Sequence, residues 1–204
     1  SVYNSGVQTV FAGATVTDTT VNSGGNQNIS SGGIVSETTV NVSGTQNIYS
    51  GGSALSANIK GSQIVNSEGT AINTLVSDGG YQHIRNGGIA SGTIVNQSGY
   101  VNISSGGYAE STIINSGGTL RVLSDGYARG TILNNSGREN VSNGGVSYNA
   151  MINAGGNQYI YSNGEATAAI VNTSGFQRIN SGGTASGTKL SGGNQNVSSG
   201  GKAI

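Results

Sequence analysis

Hydrophobic and polar positions follow one another in a pattern that repeats about every 19 residues along this chain. A glycine marks each repeat, and the marker glycines from Gly6 to Gly193 are 19 residues apart except for one spacing of 17 and one of 18. The residue four positions after each marker is always aliphatic: Val10, Ile29, Ile48, Val65, Ile84, Ile103, Val122, Val141, Ile160, Ile179 and Val197. A second position is also aliphatic throughout: Val2, Val21, Val40, Ile59, Val76, Val95, Ile114, Leu133, Ile152, Val171 and Leu190. Because a disordered chain buries nothing, apolar residues held in phase over this length predict a continuous core.

Each repeat has the elements of a small β unit. Residues 77–95 contain three short extended segments separated by glycine turns, and Gln82 and Ile84 face the opposite side from Tyr81 and His83. Such a unit cannot close its own core, but stacked copies can, since each strand pairs with the same strand of the next copy. The sequence therefore predicts an all-β fold, a right-handed single-stranded parallel β-helix (solenoid) of about eleven 19-residue rungs and roughly 50 Å in length. Residues 1–204 are expected to form a single domain of this kind.

Polar residues also recur at fixed positions of the repeat. We call the residues at one such position a column, because stacking of the repeats places them one above another. Glutamine occupies one column, in which parallel stacking lets the side-chain amides hydrogen-bond from rung to rung. Its members are Gln8, Gln27, Gln46, Gln63, Gln82, Gln158, Gln177 and Gln195, and Val101, Leu120 and Glu139 interrupt the column in the middle rungs. A threonine column is expected to point inward as well: Thr19, Thr38, Thr74, Thr93, Thr112, Thr131 and Thr188.

Composition narrows the possible functions. The chain has 37 glycines, no proline, no cysteine and a formal net charge of zero. The absence of cysteine excludes disulfides and thiol chemistry, and the zero net charge gives no electrostatic footprint for nucleic acid. The sequence contains no run of about 18 apolar residues, so it predicts no transmembrane helix. The missing proline suits stacked strands, which need every backbone N–H.

The ionisable residues predict no catalytic, cofactor or metal site. His83 is the only histidine and is expected to face outward, and the eight acidic residues fall mostly on different rungs. A β-helix carbohydrate-active enzyme, a polysaccharide lyase or hydrolase, is the alternative, and it would need paired carboxylates in a groove. An ice- or surface-binding solenoid would need a flat outward threonine array, whereas the threonine column is predicted to be inward.

Two outward columns carry functional information. One is serine in a glycine turn, where the residue type suits a tight turn and also exposes one hydroxyl per rung to modification. The other is apolar and lies beside an inward aliphatic position, so it predicts a contact stripe; the alternative is that this face is covered locally. Its members are Leu75, Ile94, Ile113, Ile132, Met151 and Ile170.

The repeat resembles that of a known family. Residues 22–40, NSGGNQNISSGGIVSETTV, are similar to the 19-residue repeat of AIDA-type self-associating autotransporter adhesins, and the similarity extends over all eleven rungs. The resemblance implies a passenger at the surface of Gram-negative bacteria, anchored to the outer membrane, that mediates adhesion, autoaggregation and biofilm formation as a virulence factor. The implied partners are like passengers, host-cell surfaces or glycans, and a heptosyltransferase.

The resemblance also implies O-linked heptose on repeat serines. By position the acceptors are the Ser-Gly-Gly serines Ser31, Ser50, Ser105, Ser181 and Ser199, and in the other turn Ser23, Ser116 and Ser191. Asn86 and Asn143 replace the serine in their rungs, which are expected to lack an acceptor. The family's signal peptide and outer-membrane barrel are not recognisable here, so we expect a fragment of a longer passenger with no membrane span of its own.

Overall fold

The protein is a parallel β-helix built from three sheets that run the length of the rod. The computed structural model describes residues 1–104, 106–123 and 125–204. Two sheets have eleven strands and the third has ten, and every strand pairs in parallel with its equivalents one turn earlier and one turn later. This arrangement confirms the all-β solenoid and its stacked repeats.

Each turn contributes one strand to each sheet. The first sheet contains β1 (Val7–Val10), β4 (Asn26–Ile29), β7 (Thr45–Ile48), β10 (Ser62–Val65), β13 (Tyr81–Ile84), β16 (Tyr100–Ile103), β19 (Thr119–Val122), β22 (Arg138–Val141), β25 (Asn157–Ile160), β28 (Phe176–Ile179) and β31 (Asn194–Val197). The second contains β2 (Thr15–Thr17), β5 (Ile34–Ser36), β8 (Ser53–Leu55), β11 (Thr70–Ile72), β14 (Ile89–Ser91), β17 (Tyr108–Glu110), β20 (Tyr127–Arg129), β23 (Val146–Tyr148), β26 (Glu165–Thr167), β29 (Thr184–Ser186) and β32 (Lys202–Ala203). The third contains β3 (Thr20–Val21), β6 (Thr39–Val40), β9 (Asn58–Ile59), β12 (Leu75–Val76), β15 (Ile94–Val95), β18 (Ile113–Ile114), β21 (Ile132–Leu133), β24 (Met151–Ile152), β27 (Ile170–Asn172) and β30 (Lys189–Ser191).

The register between turns is preserved where a repeat is short. Lys60 and Gly61 form a contracted corner between β9 and β10, which accounts for the 17-residue spacing. Gln63 nevertheless lies opposite both Gln46 and Gln82. The change in length is therefore absorbed at a corner, and the strands keep every side chain on its predicted face.

The aliphatic columns form the core. Both are buried from the first turns onward, as Val10 and Ile29 in one and Val21 in the other illustrate. In the last turn Leu190 and Val197 are 51% and 48% exposed, because this turn packs against a neighbour on one side only.

The glutamine column forms a buried ladder that runs through the core beside the aliphatic residues. Each Nε2 donates to the Oε1 of the preceding turn at 2.6–2.7 Å over Gln8–Gln82 and again over Gln158–Gln195. Threonines of the inward column donate to the same oxygens, for example Thr93 Oγ1 to Gln82 Oε1 at 3.1 Å. Between the two ladder segments Val101 and Leu120 are buried and apolar.

The two glycines of a turn are required for different reasons. Gly32 has a φ of +72°, a conformation that favours glycine but is also adopted by Glu68 and Asp125 at the same position in other turns. Gly33 has an ordinary φ, but a Cβ there would lie 2.5 Å from the carbonyl oxygen of Val10 on the preceding turn. Close approach of successive turns therefore explains why this second glycine recurs so regularly.

No helix in the described part of the chain is long and apolar enough to cross a bilayer.

Candidate functional site

The apolar stripe lies in one register on the outer face of the third sheet. Strand pairing stacks its six residues in order along the rod, as Leu75 opposite Ile94 and Ile94 opposite Ile113 show at its start. The side chains are half-buried or exposed, with Ile94 38% and Met151 39% exposed. Asn58 precedes the stripe and Lys189 follows it in the same column. The structure thus places the six predicted residues together as a continuous outward row.

Six of the described serines identified in the sequence lie at exposed turn positions. The described members in turns are Ser31, Ser50, Ser181 and Ser199 after the first sheet, and Ser23 and Ser116 before it, and all are exposed. Ser191, predicted in the second of these turns, is instead the exposed last residue of β30 and pairs with Asn172, because its repeat is one residue shorter. Ser105 lies outside the described residues. In the Ser31 turn, Gly33 N–H donates to the Ser30 carbonyl at 2.9 Å and Gly32 has the positive φ expected at the third position of a type II turn.

The hydroxyls of Ser31 and Ser181 lie against a glycine of the next turn, whereas Ser50 Oγ donates to Glu68 Oε2 at 3.2 Å. A Cβ on Gly51 would be 2.9 Å from Ser31 Oγ, and a Cβ on Gly200 would be 2.7 Å from Ser181 Oγ. The space beside the Ser31 and Ser181 hydroxyls is therefore kept open by glycine. Asn86 and Asn143, which replace the serine, have φ values of 54° and 53°, so their turns have a different backbone conformation.

In the described part of the chain, the ionisable side chains do not form a recognisable catalytic constellation. His83 Nε2 is 2.9 Å from Ser104 Oγ, while burial and then the positive charge of Arg85 lower the pKa of His83. Asp18 and Glu37 share one corner on adjacent turns, but both are exposed. No group of three or more possible metal-binding side chains occurs among the described residues.

A groove of about 530 Å³ opens on the outer face of the first sheet. We call it the arginine groove, because Arg121 and Arg138 lie within it between Tyr100 and Tyr161. Arg121 Nη1 donates to Tyr100 Oη at 2.7 Å, and Arg138 Nη2 donates to Tyr161 Oη at 3.2 Å. No carboxylate is among the residues that line it. The spacing of the repeats did not predict this grouping.

A second polar ladder was also missed from the sequence. Asparagines at the corner before the first sheet donate Nδ2 to the Oδ1 of the preceding turn at 2.9 Å without a break from Asn96 to Asn172. Asparagine recurs one position after the second aliphatic column, as in Val95-Asn96 and Val171-Asn172, and this recurrence could have predicted the ladder. This ladder is structural and lies at the edge of the outer surface.

Comparison with known proteins identifies the family. The family model described as AIDA, the adhesin of the bacterial autotransporter system, probable stalk, matches residues 60–99, 102–147 and 142–194. These matches cover more than half of the chain. The chain belongs to the AIDA adhesin family. Membership in the AIDA family implies a surface-exposed autotransporter passenger.

A solved structure is similar over almost the whole chain. It is a fragment of TibA that is hyperglycosylated in a reaction catalysed by TibC, and it shares 35% sequence identity with this chain. The alignment covers 98% of this AIDA chain and 85% of the TibA fragment with a TM-score of 0.81. No curated protein matches significantly. Both the family and the fold inferred from the sequence are therefore confirmed.

Proposed function

We propose that this chain is a non-enzymatic rod of a cell-surface adhesin that mediates autoaggregation, biofilm formation and adhesion to host cells by lateral contact between passengers. The apolar stripe supports this function above all, because exposed contiguous apolar residues are typical of contact surfaces. In this role the chain would be displayed at the outer membrane.

The geometry of the stripe suits a second copy of the same chain. One side chain projects from each rung at a period of about 4.8 Å, so two rods have matching periods along their length. A self-complementary contact around a two-fold axis then pairs the stripe of one rod with the stripe of another in antiparallel orientation.

Cell aggregation with Ile94→Asn tests this contact. We expect loss of most aggregation by cells displaying the variant, because the substitution places an amide in the middle of an apolar contact. Ile89→Asn is the matched control, since Ile89 is 40% exposed on the second sheet, compared with 38% for Ile94 on the third. Equal aggregation by wild type and Ile94→Asn, at equal surface display, would contradict the stripe as the contact.

We also propose that the exposed turn serines accept O-linked heptose from a bacterial heptosyltransferase. Glycosylation of the TibA fragment by TibC supports this proposal, as does the open space that Gly51 and Gly200 leave beside Ser31 and Ser181. The acceptors proposed here are the eight serines named from the sequence, including Ser105.

Intact mass after coexpression with a heptosyltransferase tests the modification. We expect increases in whole-heptose steps, and Ser50→Ala is expected to remove one step, whereas Ser111→Ala is the control because Ser111 is exposed at a corner outside the motif. Asn86→Ser, which completes a Ser-Gly-Gly turn, is expected to add a step. An unchanged mass on coexpression would refute the acceptor role while leaving the apolar contact untouched.

Neither alternative, the carbohydrate-active enzyme or the ice-binding solenoid, is supported by a specific contact among the described residues. A glycosidase needs two carboxyl groups facing each other across the substrate, and the lining of the arginine groove has none. The threonine column is buried, as Thr38 and Thr93 at 1% exposure show, so it offers no surface to ice.

A further inference from the structure

Two arginines in the arginine groove are neighbours and have no acidic partner among the described residues. Strand pairing places Arg121 opposite Asn140 and Arg138 opposite Thr119, so the two arginines are diagonal neighbours on one face of the first sheet. The ion pairs among the described residues are Lys60–Asp78 and Arg129–Glu110, and neither includes these arginines. Two neighbouring guanidinium groups repel each other, and a bound anion would relieve that repulsion.

The neighbouring side chains hold both guanidinium groups in place. Arg138 Nε donates to Asn140 Oδ1 at 3.0 Å, and its guanidinium carbon lies 4.3 Å from the ring centroid of Tyr159. Arg121 is held by the hydroxyl of Tyr100, whose ring stacks on Tyr81 with the centroids 5.9 Å apart. Each arginine uses only some of its five N–H donors in these contacts, so donors remain for a planar oxyanion.

The turns that follow three strands at the groove depart from the glycosylation motif. Beside the Arg121 rung, Asp125 replaces the glycine that would follow the turn serine, and in the next two rungs Asn143 replaces the serine and Asn163 replaces the glycine. Attached sugars are therefore not expected after β19, β22 and β25, and this side of the groove is left accessible, whereas the proposed acceptors Ser105 and Ser116 lie in the sequence between β16 and β19, two strands of the groove. Asp125 itself is exposed and forms no ion pair among the described residues.

We propose that the arginine groove binds an acidic saccharide, with its carboxylate or sulfate between Arg121 and Arg138 and its hydroxyls on Asn140 and Tyr161. This inference rests on the proposed display of the chain at the cell surface, where such polymers are met. Guanidinium groups recognise planar carboxylates and sulfates through paired hydrogen bonds, and tyrosine and asparagine supply neutral partners for sugar hydroxyls. A nucleic acid is a poorer match, because its affinity depends on many phosphate contacts and the groove offers two cations.

Titration calorimetry of the whole chain with defined oligosaccharides tests the site. We expect hexameric oligogalacturonate or a heparin-derived hexasaccharide to bind, and maltohexaose, which is neutral, not to bind. A preference between the two acidic probes identifies carboxylate or sulfate as the recognised group. Arg121→Gln and Arg138→Gln are each expected to weaken binding by about tenfold or more, the effect of losing a charge-assisted hydrogen bond.

Arg129→Gln is the matched control, because Arg129 is an exposed strand arginine on the second sheet that pairs with Glu110 at 3.3 Å. Its affinity for the acidic probes is expected to equal that of the wild type. The proposal is overturned if neither acidic probe binds, if Arg129→Gln loses as much affinity as the groove variants, or if single-stranded DNA binds more tightly than both.

Aggregation of cells displaying the same variants separates this site from the proposed function. Arg121→Gln and Arg138→Gln leave the apolar stripe intact and are expected to aggregate as the wild type does. Failure of Ile94→Asn to reduce aggregation, with acidic saccharide binding intact, overturns the proposed contact alone. Absence of binding together with normal, stripe-dependent aggregation overturns the groove alone.

Discussion

Glu139 is the residue at which the buried glutamine ladder resumes after Val101 and Leu120. Its Oε2 accepts a hydrogen bond from Gln158 Nε2 at 2.6 Å, and Ser147 Oγ donates to Oε1 at 3.1 Å. On its other side the column holds Leu120, which offers no acceptor. A glutamine at this position would aim an amide N–H at Leu120, whereas a carboxylate has only acceptors to satisfy. Serine replaces the usual alanine of the second sheet in this turn alone and completes the arrangement.

The buried carboxyl predicts a pH dependence of stability. Burial raises the pKa of Glu139 although Gln158, Ser147 and Thr131 donate to it and oppose the shift. Between the lower pKa of the unfolded chain and the raised pKa of the folded chain, the folded state holds a proton that the unfolded state has released. The contribution of Glu139 to the free energy of unfolding is therefore expected to fall as the pH rises from about 4 toward neutrality.

Urea unfolding of the wild type and Glu139→Gln at a series of pH values measures this effect. The difference between the two proteins cancels the titration of all other groups that remain unchanged. We expect the wild type to lose stability relative to Glu139→Gln as the pH rises. A constant difference, or one that favours the wild type at higher pH, would show that Glu139 is not the responsible group.

At the scale of elements, Val101 and Leu120 interrupt the glutamine ladder, and a substitution there can show what the ladder requires. Gln82 Oε1 accepts from Thr93 but lacks the amide donor that a glutamine on the next turn would supply. Thr112 lies eleven residues after Val101, the same separation as between Gln82 and Thr93. A glutamine at position 101 would therefore find both an acceptor and a donor.

Val101→Gln is accordingly expected to keep the free energy of unfolding within about 1 kcal/mol of the wild type, since the new amide is hydrogen-bonded. Val95→Gln is the control, because Val95 is equally buried in an aliphatic column. There the amide meets no ladder, and we expect a loss of about 2 kcal/mol or more. Chemical denaturation compares the two, and equal losses would mean that burial alone, not the ladder, determines the cost.

The structure of the turns and corners could be predicted only in part from the sequence. The serine and glycine positions followed from the repeat, but Ser191, predicted in a turn, belongs to β30. The two different requirements for glycine did not follow, because only the distance from Gly33 to the Val10 carbonyl on the preceding turn distinguishes them. The asparagine ladder was missed although its spacing is the same as that of the glutamines.

For the whole molecule, the fold and the inward columns could be predicted because a strict period leaves few ways to bury apolar residues. The arginine groove could not be predicted. Its arginines reach tyrosines 21 and 23 residues away, rather than the residue one repeat away, so they contact neighbouring columns. Contacts that long side chains make between columns are not revealed by comparing equivalent positions of successive repeats.

The preserved register has a consequence for how such a protein changes over time. Strands stay aligned even across the contracted corner at Lys60 and Gly61, so one turn joins the next through the same interface throughout the rod. Duplication or loss of a whole repeat would extend or shorten the reach of the adhesin by about 4.8 Å without altering its cross-section. Distance from the cell and chemistry of the surface can then evolve separately, the first by recombination between repeats and the second by substitutions on the outer faces.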